Sequence, residues 1–291
     1  MNFFSPKKTL PLSISVPKPL KFVIKFIQFF SHKLTVLITT TLFTTPIIFK
    51  TPKREIPMRN SSQKKRLHVE NISKEVEILS YGYSKKKVLL AHGWSGRSTQ
   101  LFMFANKLLE NGYMIISFDG PSHGNSSGKK TNMIEFIETI KSINKEFGPF
   151  ETAIGHSFGG MGLFNVLAEE EIFKCLVTIG AGDKVSDILS NFTKNLGLKD
   201  IISKKMETYF HKKWGIKVDN FASSKAAENI KVPTLIIHDT IDGDVNVSCA
   251  LNIRQNLKNG ELYITNGLGH SKILYNKKVA LKVVNFIKQN S

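Results

Sequence analysis

The stretch GHSFGG, residues 155–160, follows the apolar run FETAI and sets a serine among small and polar residues directly after a strand-like segment. In the pattern G-x-S-x-G, such a corner holds a serine on a sharp strand-to-helix turn with its hydroxyl free for nucleophilic attack. Glycine-rich turns also occur in parallel sheets that catalyse nothing, so the pattern draws its meaning from what surrounds Ser157.

Working outward, the chain alternates. VLLAHGW (88–94) is an apolar run of the kind expected for a strand buried on both faces, and STQLFMFANKLLENG (98–112) follows with helical periodicity. YMIISFD (113–119) and NMIEFIETIKSINKEFG (132–148) repeat the pair. Beyond Ser157 come a helix near 160–170, the strands FKCLVTIGA, VPTLIIHD and ELYITNG, and helices near 247–257 and 276–289. RLHVEN (66–71) and KEVEILSYG (74–82) read as a strand pair opening the sheet. Strands alternating with helices predict a mostly parallel sheet with helices on both faces, whose ligands sit at the carboxyl ends of the strands. His92, Asp119, Ser157, Asp242 and His270 all follow a strand directly.

Four segments stand in a fixed order at those strand ends: HGWSGR (92–97), FDGPSHGNSSG (118–128), GHSFGG (155–160), and HDTIDGDV (238–245) with GLGH (267–270). Together they resemble the α/β-hydrolase superfamily, its serine-hydrolase branch, over about residues 67–290. The resemblance implies an α/β-hydrolase fold and a triad in the chain order serine, acid, histidine. It implies cleavage of a carboxylic ester through an acyl-enzyme. Acyl transfer or thioester cleavage by the same machinery, and a non-catalytic ligand-binding relative, are the alternatives. Serine at position 157 disfavours the aspartate-nucleophile and cysteine-nucleophile branches.

The expected roles follow from chemistry. A serine hydroxyl needs a base to take its proton, and His270 is the proposed base. Of the acids Asp183, Asp239, Asp242 and Asp244, the resemblance implies Asp242. The family's pattern for this loop matches Asp239, Asp242 and Val245 in HDTIDGDV, while Asp183 stands where a minority of the family carries the acid. Asp239 is expected to cap the loop, and Asp244 to face solvent. The oxyanion hole is expected from the backbone N–H groups of Phe158, directly after the nucleophile, and, by resemblance, Trp94. His92, His123 and His156 are read as structural. Asp119 is read as the anchor of the loop in which Ser122 occupies a position the family gives to glycine. An insert over 183–227, with Phe192, Tyr209, Phe210, Trp214 and Phe221, is expected to form a small helical lid over a partly apolar pocket.

Composition bounds the rest. With 41% apolar and 22% charged residues among 291, the chain reads as globular. Two cysteines, Cys175 and Cys249, make no disulfide framework and fit a reducing, cytoplasmic setting. No Cys/His spacing suggests a metal, and no cofactor is implied. The net charge of +18 is concentrated in residues 1–66, which hold 13 Lys/Arg and one acid. No nucleic-acid module accompanies it, so nucleic acid is not expected as a partner. A small-molecule acyl ester is.

Residues 1–66 are expected as a basic N-terminal extension before a hydrolase domain at 67–291. Lys21, Lys25, Gln28 and His32 form one stripe of a helix from about Leu20 to Ile38, with Phe, Ile, Leu and Val on its other faces. Packing on the protein's own core is the first expectation for this helix. Membrane-surface contact through residues 20–49 is the second, and a span the third. LTVLITTTLFTTPIIF (34–49), with six threonines and Pro46, is short for a span. Residues 50–66 read as a polar linker.

Overall fold

The computed structural model describes residues 9–13 and 16–291. Residues 1–8 and 14–15 of the expected extension lie outside them. The chain enters through α1 (Lys18–Phe30), α2 (His32–Thr44) and the short α3 (Ile56–Asn60), then β1 (Gln63–Val69), β2 (Lys74–Tyr81) and β3 (Lys87–Ala91). Next come α4 (Phe102–Leu109), β4 (Met114–Phe118), α5 (Met133–Phe147), β5 (Phe150–His156), α6 (Phe158–Glu169) and β6 (Phe173–Ile179). Three helices, α7 (Val185–Leu196), α8 (Ile201–Trp214) and α9 (Ser223–Ala227), precede β7 (Thr234–Asp239). The chain closes with α10 (Ser248–Asn256), β8 (Gly260–Thr265), α11 (Gly269–Lys272) and α12 (Lys277–Asn290).

The eight strands form one sheet in the order β1-β2-β4-β3-β5-β6-β7-β8. The first two are antiparallel additions at one edge, and β3 to β8 run parallel. Apolar side chains on both faces explain the unbroken runs in the sequence. Phe136 of α5, Leu163 of α6 and Ile253 of α10 cover one face, while Phe104 of α4 and Val283 of α12 cover the other. This is the α/β-hydrolase fold.

A third apolar cluster lies apart from the sheet. Ile24 of α1 and Val36 of α2 are buried there with Leu189 and Leu196 of α7 and Ile202, Met206 and Phe210 of α8. The N-terminal helices and the expected insert therefore form one helical cap.

Three expectations for the N-terminal region change. The single helix from about Leu20 to Ile38 is two helices. Ser31, extended at φ −151°, ends α1, and its Oγ accepts from Leu34 N–H at 3.2 Å to cap α2. The strand pair is present, but β1 starts at Gln63 rather than 66. Residues 50–66 are not a loose linker. Glu55 there is fully buried, accepting from Arg97 Nε at 2.7 Å, Arg97 Nη2 at 3.0 Å and Thr99 Oγ1 at 2.8 Å. Met58 is buried in the sheet's own core.

The Glu55–Arg97 pair pins the extension to the loop after β3. Removing one partner of a buried pair strands the other, so Glu55→Ala is expected to lower unfolding free energy by about 3 kcal/mol. Urea unfolding followed by circular dichroism measures this. A loss under about 0.5 kcal/mol, typical of surface changes, would deny the pair its anchoring role.

Candidate active site

Ser157 is the corner between β5 and α6, and its backbone sits at φ 50°, ψ −116°. A non-glycine residue there is strained and must be held by its surroundings. The surrounding glycines are what make the corner possible. A Cβ at Gly159 would lie 2.4 Å from the Ala91 carbonyl oxygen, and one at Gly155 2.6 Å from Gly160 Cα. The sequence GHSFGG thus folds this way because β3, β5 and α6 meet too closely for side chains. Ser157 N–H donates to Ile179 O at 2.9 Å, fixing the corner to β6.

His270 begins a short helix beyond β8. Its Nδ1–H donates to Asp242 Oδ2 at 2.7 Å. The other oxygen, Asp242 Oδ1, accepts from the N–H groups of Asp244 and Val245, each at 2.9 Å. Burial alone would push both groups toward neutrality. For His270, the hydrogen bond and charge of Asp242, with the charge of Asp244, outweigh burial and raise its pKa above 6.5. For Asp242, the His270 hydrogen bond, the charges of His270 and His238 and the Val245 N–H outweigh burial and lower it.

The other acids sort themselves by their partners. Asp239 accepts from Thr265 Oγ1 at 2.7 Å, Leu268 N–H at 3.0 Å and Ile241 N–H at 3.1 Å, so it caps the loop and holds the approach to His270. Asp183 accepts from Ser224 N–H at 2.9 Å and Asn252 Nδ2–H at 3.4 Å, and among the described residues it makes no hydrogen bond to His270. Asp244 does not face solvent as expected. It is half-buried and accepts from Ser13 N–H at 3.0 Å and Ser13 Oγ at 2.7 Å. Ser13 Oγ also lies 3.0 Å from Ser271 Oγ, and Leu10 N–H donates to Ile241 O at 3.0 Å. Residues 9–13 therefore strap the acid loop to the histidine loop.

Three further histidines near the site, His92, His123 and His156, are held neutral by burial. Burial lowers His92 to about 4 and His123 to about 3. His92 Nδ1–H donates to Gly93 O, and its Nε2 accepts from Gly120 N–H at 2.8 Å. His156 is also depressed by burial, and its Nε2–H donates to His270 O at 3.2 Å, holding the His270 backbone. Asp119 anchors its loop as expected, accepting from Ser98 and Asn125 N–H groups, both at 2.7 Å. Ser122 takes φ 63°, keeping the left-handed turn that glycine would supply.

A cavity of about 770 Å³ opens over Ser157, His270, Trp94 and Phe158. Among the described residues, no backbone hydrogen bond engages the N–H of Trp94 or Phe158. Of the insert aromatics, Phe192, Phe210, Trp214 and Phe221 line the cavity. Tyr209 does not, packing edge-on to Phe210 at 5.7 Å. Asp242, Asp244 and His270 bring possible metal-ligand atoms within 4.8 Å of one another. Their oxygens are already engaged by His270, Ser13 and backbone N–H groups, which leaves no cradle for an ion.

Sequence reading missed two features. Gln100 lines the cavity and accepts from Gly93 N–H at 2.9 Å, shaping the turn before Trp94. The N-terminal extension supplies much of the cavity roof, with Leu12, Val16, Leu20 and Phe43. Phe43 bridges the parts, 6.4 Å from the Trp94 ring and 5.3 Å from that of Phe192.

Comparison with known proteins bears on the fold. The family model for the alpha/beta hydrolase fold matches residues 86–197, and that of the prolyl oligopeptidase family matches 151–291. No curated protein matches the sequence. Among solved structures, an esterase from Pyrococcus furiosus is 19% identical with a TM-score of 0.65, covering 84% of this chain and 98% of its own. An esterase from Exiguobacterium antarcticum is 18% identical with a TM-score of 0.62, covering 78% of this chain and 100% of its own. A bacterial membrane phospholipase A is 17% identical with a TM-score of 0.62, covering 93% of this chain and 98% of its own. The last match is longer than residues 67–291 can supply, so it reaches into the N-terminal extension. The two overlapping family matches, the sheet order and the serine corner agree, and the chain is a member of the α/β-hydrolase superfamily.

Proposed function

We propose that the protein is a serine hydrolase that cleaves carboxylic esters through an acyl-enzyme, with Ser157 as nucleophile, His270 as base and Asp242 as its orienting acid. The observation that carries this reading is the His270–Asp242 pair at 2.7 Å, opening on the same cavity as the strained Ser157 corner. Asp242 holds the proton on Nδ1, so Nε2 is the free lone pair. Ser157 Oγ attacks the ester carbonyl while its proton passes to Nε2. The oxyanion is stabilised by Trp94 and Phe158 N–H groups at the positive end of α6. On collapse the C–O bond to the alcohol breaks, and Nε2 returns the proton to the leaving oxygen. Water then repeats the cycle on the acyl-enzyme and releases the acid.

Residues 183–227 are the lid in this reading, and the N-terminal extension is its second half. An apolar roof over about 770 Å³ suits an acyl chain better than a peptide. The esterases and the phospholipase of similar fold point the same way. Fluorophosphonate labelling of the purified protein, followed by peptide mapping, is the direct test. The adduct is expected on Ser157, and a labelled residue elsewhere or none at all would overturn the assignment.

The pH profile gives a second test. Only neutral His270 accepts a proton, so kcat/KM should rise with pH through its ionisation. Because Asp242 raises that pKa, the midpoint is expected above pH 6.5. A midpoint below pH 6 would contradict the pairing seen here.

A further inference from the structure

The N-terminal helix pair turns only part of its apolar surface inward: Ile24 and Val36 are buried in the cap, while a second apolar face is left outside. On α1, Phe22, Phe26, Phe29 and Phe30 are 61–85% exposed. The polar stripe of the same helix faces the cap instead. Gln28 Oε1 accepts from Lys199 N–H at 2.9 Å, Lys21 lines the cavity, and the Lys25 stem lies against Gly197. The pattern repeats on α2, where Thr35, Thr39 and Thr40 are buried while Leu34 and Leu37 face out. The three hydroxyls bond to carbonyls one turn back, so burying them leaves no polar atom unpaired. A contiguous apolar face of this kind on a folded protein marks a contact surface.

We propose that this face lies on an anionic lipid surface and delivers the substrate, a lipid acyl ester, into the cavity. Two observations select the occupant. Residues 18–50 carry Lys18, Lys21, Lys25, Lys33 and Lys50 and no acid, so a second copy would meet like charge while anionic headgroups meet complement. Ile47 and Phe49 are exposed and also line the cavity, so the outward face runs into the cavity mouth. The helices lie in the interface rather than crossing it. Each has 13 residues, and no helix of the described residues is long and apolar enough to cross a membrane. The lipid-ester part rests on the serine-hydrolase reading, whereas the docking part does not.

Docking is tested on the full chain carrying Ser157→Ala, so that catalysis plays no part. Co-sedimentation with phosphatidylcholine–phosphatidylglycerol vesicles is expected at low salt, weakened by high salt and absent with phosphatidylcholine alone. Adding Phe22→Ser, Phe26→Ser and Phe29→Ser should weaken binding by at least about tenfold. The same triple in the Ser157 parent should hydrolyse a soluble short-chain ester at an unchanged rate, since none of the three lines the cavity. Lys18→Glu with Lys33→Glu gives an independent arm that leaves the aromatic face intact and should also release the vesicles. Parent protein that ignores anionic vesicles, or variants that bind as well as the parent, would overturn the proposal. So would a dimer in sedimentation velocity that the Phe triple dissociates without any change in vesicle binding. If vesicles bind as expected but Ser157 takes no fluorophosphonate, docking stands and the ester reading falls.

Discussion

Ser157→Ala is expected to reduce hydrolysis of an activated short-chain ester by roughly 10⁶-fold, to the level of background. The size of the effect comes from what the cavity offers in its place. His270 and Asp242 can activate a hydroxyl but cannot form the acyl bond themselves. Alanine keeps the Cβ and the φ 50° backbone, so the corner and the 2.9 Å bond from residue 157 N–H to Ile179 O persist. The circular dichroism spectrum and melting temperature should match the parent. Equal turnover in mutant and parent would end the serine-hydrolase reading.

Asp242→Asn is expected to lower turnover by roughly 10³–10⁴ with KM little changed. The direction follows from the two sides of the carboxylate. Oδ1 accepts from two backbone N–H groups, so the asparagine carbonyl oxygen must take that side. Its NH₂ then faces His270 Nδ1, which is forced to accept. The imidazole proton moves to Nε2, the atom that has to take the serine proton, and the base is lost while its position is kept. Asp239→Asn and Asp244→Asn should cost far less, because these acids hold loops and the strap. Asp183→Asn, bonded to Ser224 and facing Asn252, should cost least. A large loss at Asp183 with a small one at Asp242 would overturn the assignment.

The sheet and the corner were legible because they are local. The apolar runs have strand length, and the glycines of GHSFGG can stand together only where backbones meet. The pairing of Asp242 with His270 was legible from the family pattern of the loop, in which Val245, whose N–H Asp242 accepts, stands three residues on. The N-terminal region was not legible, for a definite reason. Periodicity says that two faces of α1 differ, but not which one turns inward. Here Ile24 is buried with Gln28 and Lys21 beside it on the cap side, and the phenylalanines face out. The break at Ser31 was present as a capping serine, hidden in a pattern that continues across it. Glu55, the lone acid in a basic segment, was a clue with no visible partner, since Arg97 is brought to it only by the fold.

The strap of residues 9–13 bears on how the protein comes off the ribosome. Leu10 and Ser13 are made long before their partners Ile241, Asp244 and Ser271. The serine corner emerges more than a hundred residues before His270, so a nascent chain carries the corner without the His270–Asp242 pair and with the strap unfastened. Under the serine-hydrolase reading, a chain released before position 270 lacks both its base and the Ser271 end of the strap.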